Sequence, residues 1–167
     1  FSDNFTVITD VTTNGGSLAS DATECYGDNG ATLVLSSETG DVQKWQFSST
    51  SDFSADVNDL VNTTNTESYE NLTATTYYRA EVKNGVCPVD YSATGTITVL
   101  TEITGNVISS DIVACADQAT ATLTATAPSG SAGNFTYQWQ QSDDNSTFTD
   151  IGGATSATYD PGVLTED

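Results

Sequence analysis

The sequence has no histidine, and its three basic residues, Lys44, Arg79 and Lys83, stand against 23 acidic residues. Without histidine, the Ser–His and Cys–His pairs that activate a catalytic nucleophile cannot form. Paired carboxylates can cleave glycosides, but among 23 carboxylates the chance proximity of two carries no information. The composition therefore predicts a protein that is not an enzyme.

The net charge of −20 limits the partners of the chain. Nucleic acids and anionic membrane surfaces attract clustered lysine and arginine, so neither is an expected partner. No run of 18 apolar residues is present, and the sequence predicts no membrane insertion. Such a charge suits either a solvated surface in a salty exterior or a surface that binds divalent cations, and both interpretations stay open.

The hydrophobic content of 37% is below the usual range of about 45–50%, but the apolar residues occur in short patches with abundant threonine. This pattern is typical of half-buried strands. Glycine, asparagine, aspartate and serine separate the patches, and the short spacing between them predicts an all-β protein built as a β-sandwich. Predicted strands cover residues 31–35, 42–47, 66–71, 76–82 and 94–100.

The chain repeats itself with a period of about 90 residues. Residues 17–33 align with 107–123, which places Cys25 on Cys115, and residues 95–104 align with 4–12. This arrangement predicts tandem repeats. The predicted domains are the last strand of a preceding repeat (1–12), a complete repeat (13–104), and a second repeat (105–167) that is truncated before its last strands.

Three aromatic residues are predicted to lie in the core, and two cysteines are predicted to pair. Trp45 and its counterpart Trp139 lie on an alternating strand, and Tyr78 alternates with Ala80 and Val82. Cys25 precedes one strand and Cys87 follows another, so we expect a disulfide at one pole of the sandwich. Its loop of about 62 residues would contribute roughly 4 kcal/mol. The alternative is two free buried thiols.

Acidic loops follow the tryptophan strand in both repeats and form a candidate Ca²⁺ site, the one cofactor that the sequence suggests. Neither loop has EF-hand spacing, and the alternative is a turn in which Asp and Asn bond to their own backbone. The candidate ligands are Asp52, Asp56 and Asp59 in the first repeat and Asp143, Asp144, Asn145 and Asp150 in the second.

Two stretches carry a resemblance to a known family. "TTYYRAEVKNGVC" (75–87) and "YQWQQSDDNSTFTDIGGATSATYDPGVLT" (137–165) resemble the immunoglobulin-like tandem repeats of giant Bacteroidetes cell-surface adhesins, which include gliding-motility adhesins exported by the type IX secretion system. The resemblance covers nearly the whole chain. It implies tandem immunoglobulin-like β-sandwiches and carries no catalytic residues.

The resemblance also implies a function, a location and partners. The expected function is a non-catalytic stalk that spaces and presents an adhesive end, secreted to the extracellular face of the outer membrane. Expected partners are neighbouring repeats, the secretion machinery, and an extracellular polysaccharide or surface. Two alternatives are a filament subunit joined by strand donation, in which residues 4–12 enter the next molecule, and a carbohydrate-binding accessory module of a secreted enzyme.

Overall fold

The structure, a computed structural model, describes residues 6–19, 21–108 and 112–165. The chain divides into two compact units, Phe1–Thr101 and Glu102–Asp167, called here the first and second unit. The described residues form thirteen strands and no helix, which confirms the all-β prediction. Accordingly, no helix among them could cross a membrane.

The first unit holds nine strands. They are β1 (Ser17–Leu18), β2 (Ala22–Glu24), β3 (Gly30–Ser36), β4 (Asp41–Ser48), β5 (Asn58–Leu60), β6 (Thr66–Glu70), β7 (Thr76–Lys83), β8 (Asp90–Tyr91) and β9 (Gly95–Val99). One sheet has the order β1–β3–β6, and the other has the order β2–β9–β7–β4–β5 with β8 paired to β7. Every pair is antiparallel except β2 with β9, which is parallel.

The core of the first unit lies between these two sheets. The smaller sheet contributes Leu33, Leu35 and Tyr69, and the larger sheet contributes Val42, Trp45, Tyr78, Ala80, Val82 and Ile97. In β7 the buried residues alternate, as the period-2 pattern predicts for a strand with one face in the core. Trp45 is fully buried, and its indole Nε1 donates to the Thr64 carbonyl at 2.9 Å.

A β-bulge at Gln43 departs from the simple alternation expected for β4. Val42 pairs with Val82 and Lys44 pairs with Glu81, so Gln43 is an extra residue in the ladder. An extra residue shifts the alternation by one. Val42 and Trp45, which an uninterrupted strand would place on opposite faces, therefore both reach the core.

The second unit holds four two-residue strands in two small sheets. β10 (Leu123–Thr124) pairs with β13 (Thr158–Tyr159), and β11 (Gln140–Gln141) pairs with β12 (Thr149–Asp150). Trp139 is 9% exposed, donates its indole Nε1 to the Ser156 carbonyl at 2.8 Å, and packs against Tyr159 with ring centroids 5.6 Å apart.

Local features recur in the two units about 90 positions apart. The isolated bridge between Asn14 and Thr39 is matched by Thr104 with Ser129, and the pair Leu18–Leu35 is matched by the bridge between Ile108 and Ala125. Each residue of the second set lies 90 positions after its counterpart. One register differs, because Tyr69 pairs with Ala31 whereas Tyr159 pairs with Leu123.

Residues 1–12 were predicted to contain the last strand of a preceding repeat. Residues 1–5 lie outside the described part of the chain, and residues 6–12 carry no strand. In this segment Val7 is 73% exposed and Ile8 is 85% exposed.

Candidate functional site

The two ends of the first unit hold its most distinctive geometry, beginning with the parallel pair of β2 and β9. Ala22 pairs with Ile97 and Glu24 with Val99, and the Leu100 N–H extends the ladder to the Glu24 carbonyl at 2.9 Å. β2 lies near the start of the unit and β9 lies at its end. Because they are parallel, tension on opposite ends of the unit pulls these strands past each other.

At the other end of the unit, a leading segment (residues 10–14) is bound to the turn between β7 and β8 (residues 84–89). The Val86 N–H donates to the Asp10 carboxylate at 2.9 Å, and the Asn84 Nδ2 donates to the Val11 carbonyl at 2.7 Å. The Asn84 N–H donates to Thr13 Oγ1 at 3.1 Å. The chain is therefore held against the sandwich before β1 begins.

The predicted disulfide between Cys25 and Cys87 does not form, and Cys25, Cys87 and Cys115 are free thiols. Cys25 directly follows β2, at the end of the sheet where β7 begins, whereas Cys87 lies beyond the other end of β7. The eight residues of β7 span roughly 25 Å, and a disulfide needs Cα atoms within about 7 Å. The sequence reasoning placed Cys25 by β3 and missed β2.

Arg79 is the centre of a network on the outer face of the larger sheet. Its guanidinium lies 4.0 Å from the ring centroid of Phe53 and 3.9 Å from that of Tyr91. Its Nε donates to Gln46 Oε1 at 2.9 Å, and Gln46 Nε2 donates to Asp59 at 2.7 Å. Stacking between two rings adds cation–π attraction to these hydrogen bonds.

Lys44 extends this network to the two acidic residues beside it. Its Nζ lies 2.8 Å from Asp59 and 3.6 Å from Glu81. The hydrogen bond to Asp59 raises the pKa of Lys44, and the same bond lowers the pKa of Asp59. Lys44 and Arg79, the basic side chains of this face, are therefore bonded to other side chains of the protein.

The structure does not gather the candidate Ca²⁺ ligands. Among the described residues, no group of three or more His, Cys, Asp or Glu side chains could hold a metal ion. In the first unit, Asp52 accepts from Ser54, Asp56 accepts from Ser49, and Asp59 belongs to the Lys44 network.

The second loop is a turn that bonds to itself. Asp144 accepts from the backbone N–H groups of Ser146 and Thr147 and from the Ser142 hydroxyl, which lowers its pKa to about 2. Asp150 accepts from Gln140 at 2.9 Å. Asp143 and Asn145 are exposed, so the loop has the self-bonded geometry that was the alternative to cation binding.

The three aromatic residues predicted for the core, Trp45, Tyr78 and Trp139, are all buried. Burial, followed by a weaker effect of Glu67, raises the pKa of Tyr78 to about 12. Buried rings of this kind are unavailable for stacking on a sugar.

The second unit contains an apolar cleft of about 710 Å³, lined by residues that include Ile112, Val113, Leu123 and Leu164. Val113 is 97% exposed. In the repeat alignment, residues 112–114 correspond to β2, which pairs with β9 in the first unit. The described residues of the second unit provide no strand in that position.

Sequence reasoning missed the leading-segment contacts and the parallel pair of β2 and β9. The asparagine–glycine pair at residues 84–85 predicts a turn after β7, which the structure has, but no local pattern predicts that residues 10–14 bind to it. β2 has three residues without apolar alternation, and no local pattern predicts it.

Comparison with known families identifies a matching family. The family model described as "Domain of unknown function (DUF8696)" matches residues 14–101 and 104–167. No curated protein matches the chain.

Proposed function

The chain belongs to the family described as "Domain of unknown function (DUF8696)", and we propose that it acts as a non-catalytic, load-bearing spacer in a large secreted protein of the cell surface. The parallel pairing of β2 with β9 carries this proposal. Strands near opposite ends of a unit that pair in parallel resist tension in shear, because several ladder bonds must break together.

The leading segment supports the same role. Tension from the N-terminal side reaches its bonds to Asn84 and Val86 before it reaches β2. A free linker in this position would extend at low force, whereas a bound one transmits force to the sandwich. The first unit is thus attached at the side where the chain enters and paired in shear at the side where it leaves.

A tandem arrangement of immunoglobulin-like repeats with a period of about 90 residues is part of the proposal. It is supported by the recurrence of the bridges 90 positions apart and by the two ranges that the family model matches. The hydrogen bond from Gln46 to Asp59 also has a counterpart from Gln140 to Asp150. Units that contact mainly their neighbours extend a chain with roughly additive stability.

The adhesive context rests on the resemblance of residues 75–87 and 137–165 to repeats of Bacteroidetes surface adhesins. From it we propose export by the type IX secretion system, exposure on the outer membrane, and a role in gliding or adhesion. The partners proposed are neighbouring repeats, the secretion machinery, and an extracellular polysaccharide or surface. The charge of −20 suits such an exterior, because it keeps chains apart in solution.

Optical-tweezers stretching of the chain through its two ends tests the load-bearing role. The Thr98→Pro substitution removes one ladder bond from β9, which has neighbours on both sides, so the unfolding force of the first unit should fall. Thr98→Ala is the matched control, because this side chain is exposed and its loss should leave the force nearly unchanged. Equal forces in Thr98→Pro and the parent chain would contradict the proposal.

A second candidate function is self-assembly by strand addition, which the apolar cleft of the second unit favours. The exposed leading residues Val7 and Ile8 of a second copy would lie along residues 112–114. Sedimentation analysis should then show concentration-dependent oligomers that Val113→Asp abolishes and Val61→Asp, on a fully exposed residue of the first unit, does not. A monomer at every concentration would rule this function out.

A further inference from the structure

The sequence contains three asparagine–glycine pairs, Asn14–Gly15, Asn29–Gly30 and Asn84–Gly85. In such a pair, the backbone nitrogen of the glycine can attack the side-chain carbonyl carbon of the asparagine, because glycine has no side chain to obstruct the approach. The reaction needs an asparagine side chain and a glycine nitrogen that are free to approach each other. The three pairs differ in the hydrogen bonds that hold these two groups.

Two of the pairs are held in place. The Gly15 N–H donates to Asp90 at 2.9 Å, and Gly15 packs tightly against the Tyr91 backbone. The Asn29 amide donates to the carbonyls of Cys25 and Leu72 and accepts from the Leu72 N–H, and Gly30 begins strand β3. Attack at either asparagine would require these bonds to break.

In the third pair, these two groups are held by the fewest hydrogen bonds. Asn84 and Gly85 lie in the turn between β7 and β8, Gly85 is exposed with φ of 52°, and its N–H makes no hydrogen bond. One hydrogen bond, from Nδ2 to the Val11 carbonyl, holds the Asn84 side chain. We propose that Asn84 is a site of spontaneous deamidation, and that the reaction releases the leading segment.

The chemistry requires water alone as co-reactant. The Gly85 nitrogen loses its proton and bonds to Cγ of Asn84. The Cγ–Nδ2 bond breaks, and the Nδ2 amino group takes up a proton and leaves as ammonia, which gives a cyclic succinimide. Water then adds to one of the two succinimide carbonyls and opens the ring. The products are aspartate, or isoaspartate with the chain continued through the side-chain carbon.

Either product disrupts the contacts of the leading segment. In aspartate, the carbon that carried the amide becomes a carboxylate, and in isoaspartate it becomes the main-chain carbonyl bonded to the Gly85 nitrogen. Neither group can donate to the Val11 carbonyl, so both products lose this hydrogen bond. The Asp10 carboxylate, bound to the Val86 N–H and in contact with Gly85, adds like-charge repulsion. In a load-bearing spacer, deamidation would gradually release the leading segment, and this consequence rests on the proposed function. The deamidation site itself does not rest on it.

Incubation of the whole chain in mildly alkaline buffer, followed by peptide mass spectrometry, tests the site. The modified fraction should grow several-fold faster at Asn84 than at Asn14 or Asn29. Asn84→Gln, which keeps the amide donor but forms the ring poorly, should remove the fast reaction, whereas Asn14→Gln should leave it unchanged. Equal rates at the three asparagines, or a faster rate at Asn14 or Asn29, would overturn the proposal.

A second measurement tests the release of the leading segment separately. Asn84→Asp reproduces one product, and hydrogen exchange of the Val86 N–H reports its bond to Asp10. Exchange should accelerate several-fold in Asn84→Asp and stay at the parent rate in Asn145→Asp, the same change at an exposed asparagine of the second unit. Unchanged exchange in Asn84→Asp would overturn the release, and neither outcome depends on how the unit bears force.

Discussion

Asp144 shows how a single acidic side chain can shape a loop without a metal ion. Its carboxylate accepts from two backbone N–H groups and one hydroxyl, so the charged form is favoured and the pKa falls to about 2. Because its pKa is lowered in the folded state, Asp144 stabilises the fold at pH values above the usual aspartate pKa of about 3.9. That contribution is lost as the pH falls through 2.

We predict that Asp144 stays ionised at pH values well below the ordinary aspartate pKa. In an NMR titration of the carboxyl carbons, Asp144 should stay ionised until about pH 2, because three donors stabilise its charge. The Ser146 and Thr147 amides should shift with the same midpoint. A midpoint near the ordinary aspartate value would mean that the self-bonded turn is wrong and would reopen the loop to cation binding.

A second prediction concerns Tyr69 and Tyr78, whose pKa values are raised to about 12. Burial is the main cause for both, and the hydrogen bond from the Tyr69 hydroxyl to Glu24 adds to it. The pKa values in the folded state exceed the unfolded value of about 10, so both tyrosines stabilise the fold below pH 10. This contribution to stability is lost as the pH rises through 12. Burial also raises the pKa of Tyr91. Ultraviolet titration should therefore show three tyrosines that ionise late, and Tyr69→Phe should remove one of them. Complete ionisation near pH 10 in a folded chain would contradict the buried positions.

At the scale of elements, the alternating strands could be read from the sequence and the irregular ones could not. β7 has its predicted face, with Tyr78, Ala80 and Val82 in the core, because alternation survives wherever a strand is unbroken. β4 contains a β-bulge at Gln43, and no residue pattern in the sequence predicts it.

The error over the cysteines has the same origin. β2 is three residues long, and its position is set by pairing with β9, more than seventy positions later, rather than by its own residues. Without the pairing of β2 with β9, the sequence predicted that Cys25 and Cys87 lie at the same end of the sandwich, whereas they lie at opposite ends of the larger sheet. The leading-segment contacts were missed for the same reason, since they join residues 10–13 to residues 84–86.

We predict that Ile97→Ala in β9 destabilises the first unit by about 2–5 kcal/mol, because the side chain is fully buried and its loss leaves a cavity. Urea unfolding followed by Trp45 fluorescence, with Trp139 replaced by phenylalanine, isolates this unit. The neighbouring Thr98→Ala should change stability by less than about 0.5 kcal/mol. Equal effects of the two substitutions would mean that β9 does not face the core.

At the scale of the whole molecule, 23 acidic and 3 basic residues make self-repulsion the dominant electrostatic term. The basic residues Lys44 and Arg79 lie together on one face of the larger sheet and are engaged there. The fold class could be predicted from the sequence because patterning and turn residues agree along the chain. Which acidic side chains meet could not, because that depends on pairings between distant strands.

We predict that salt stabilises the chain, because screening shortens the reach of repulsion from about 30 Å at 0.01 M to about 3 Å at 1 M. The urea midpoint should rise over this range. Neutralising two exposed acids, Asp28→Asn and Glu70→Gln, should raise the midpoint at low salt and weaken its salt dependence. A midpoint that falls or stays constant with salt would contradict the dominance of repulsion.

The direction of pulling tests the load-bearing account most directly. With the three cysteines replaced by serine, handles at the chain ends load β2 and β9 in shear, whereas handles on Tyr26→Cys and Thr101→Cys, both just beyond the same end of the pair, peel it apart bond by bond. The account predicts a clearly higher unfolding force for the first unit when the chain is pulled from its ends. Equal forces in the two directions would contradict it.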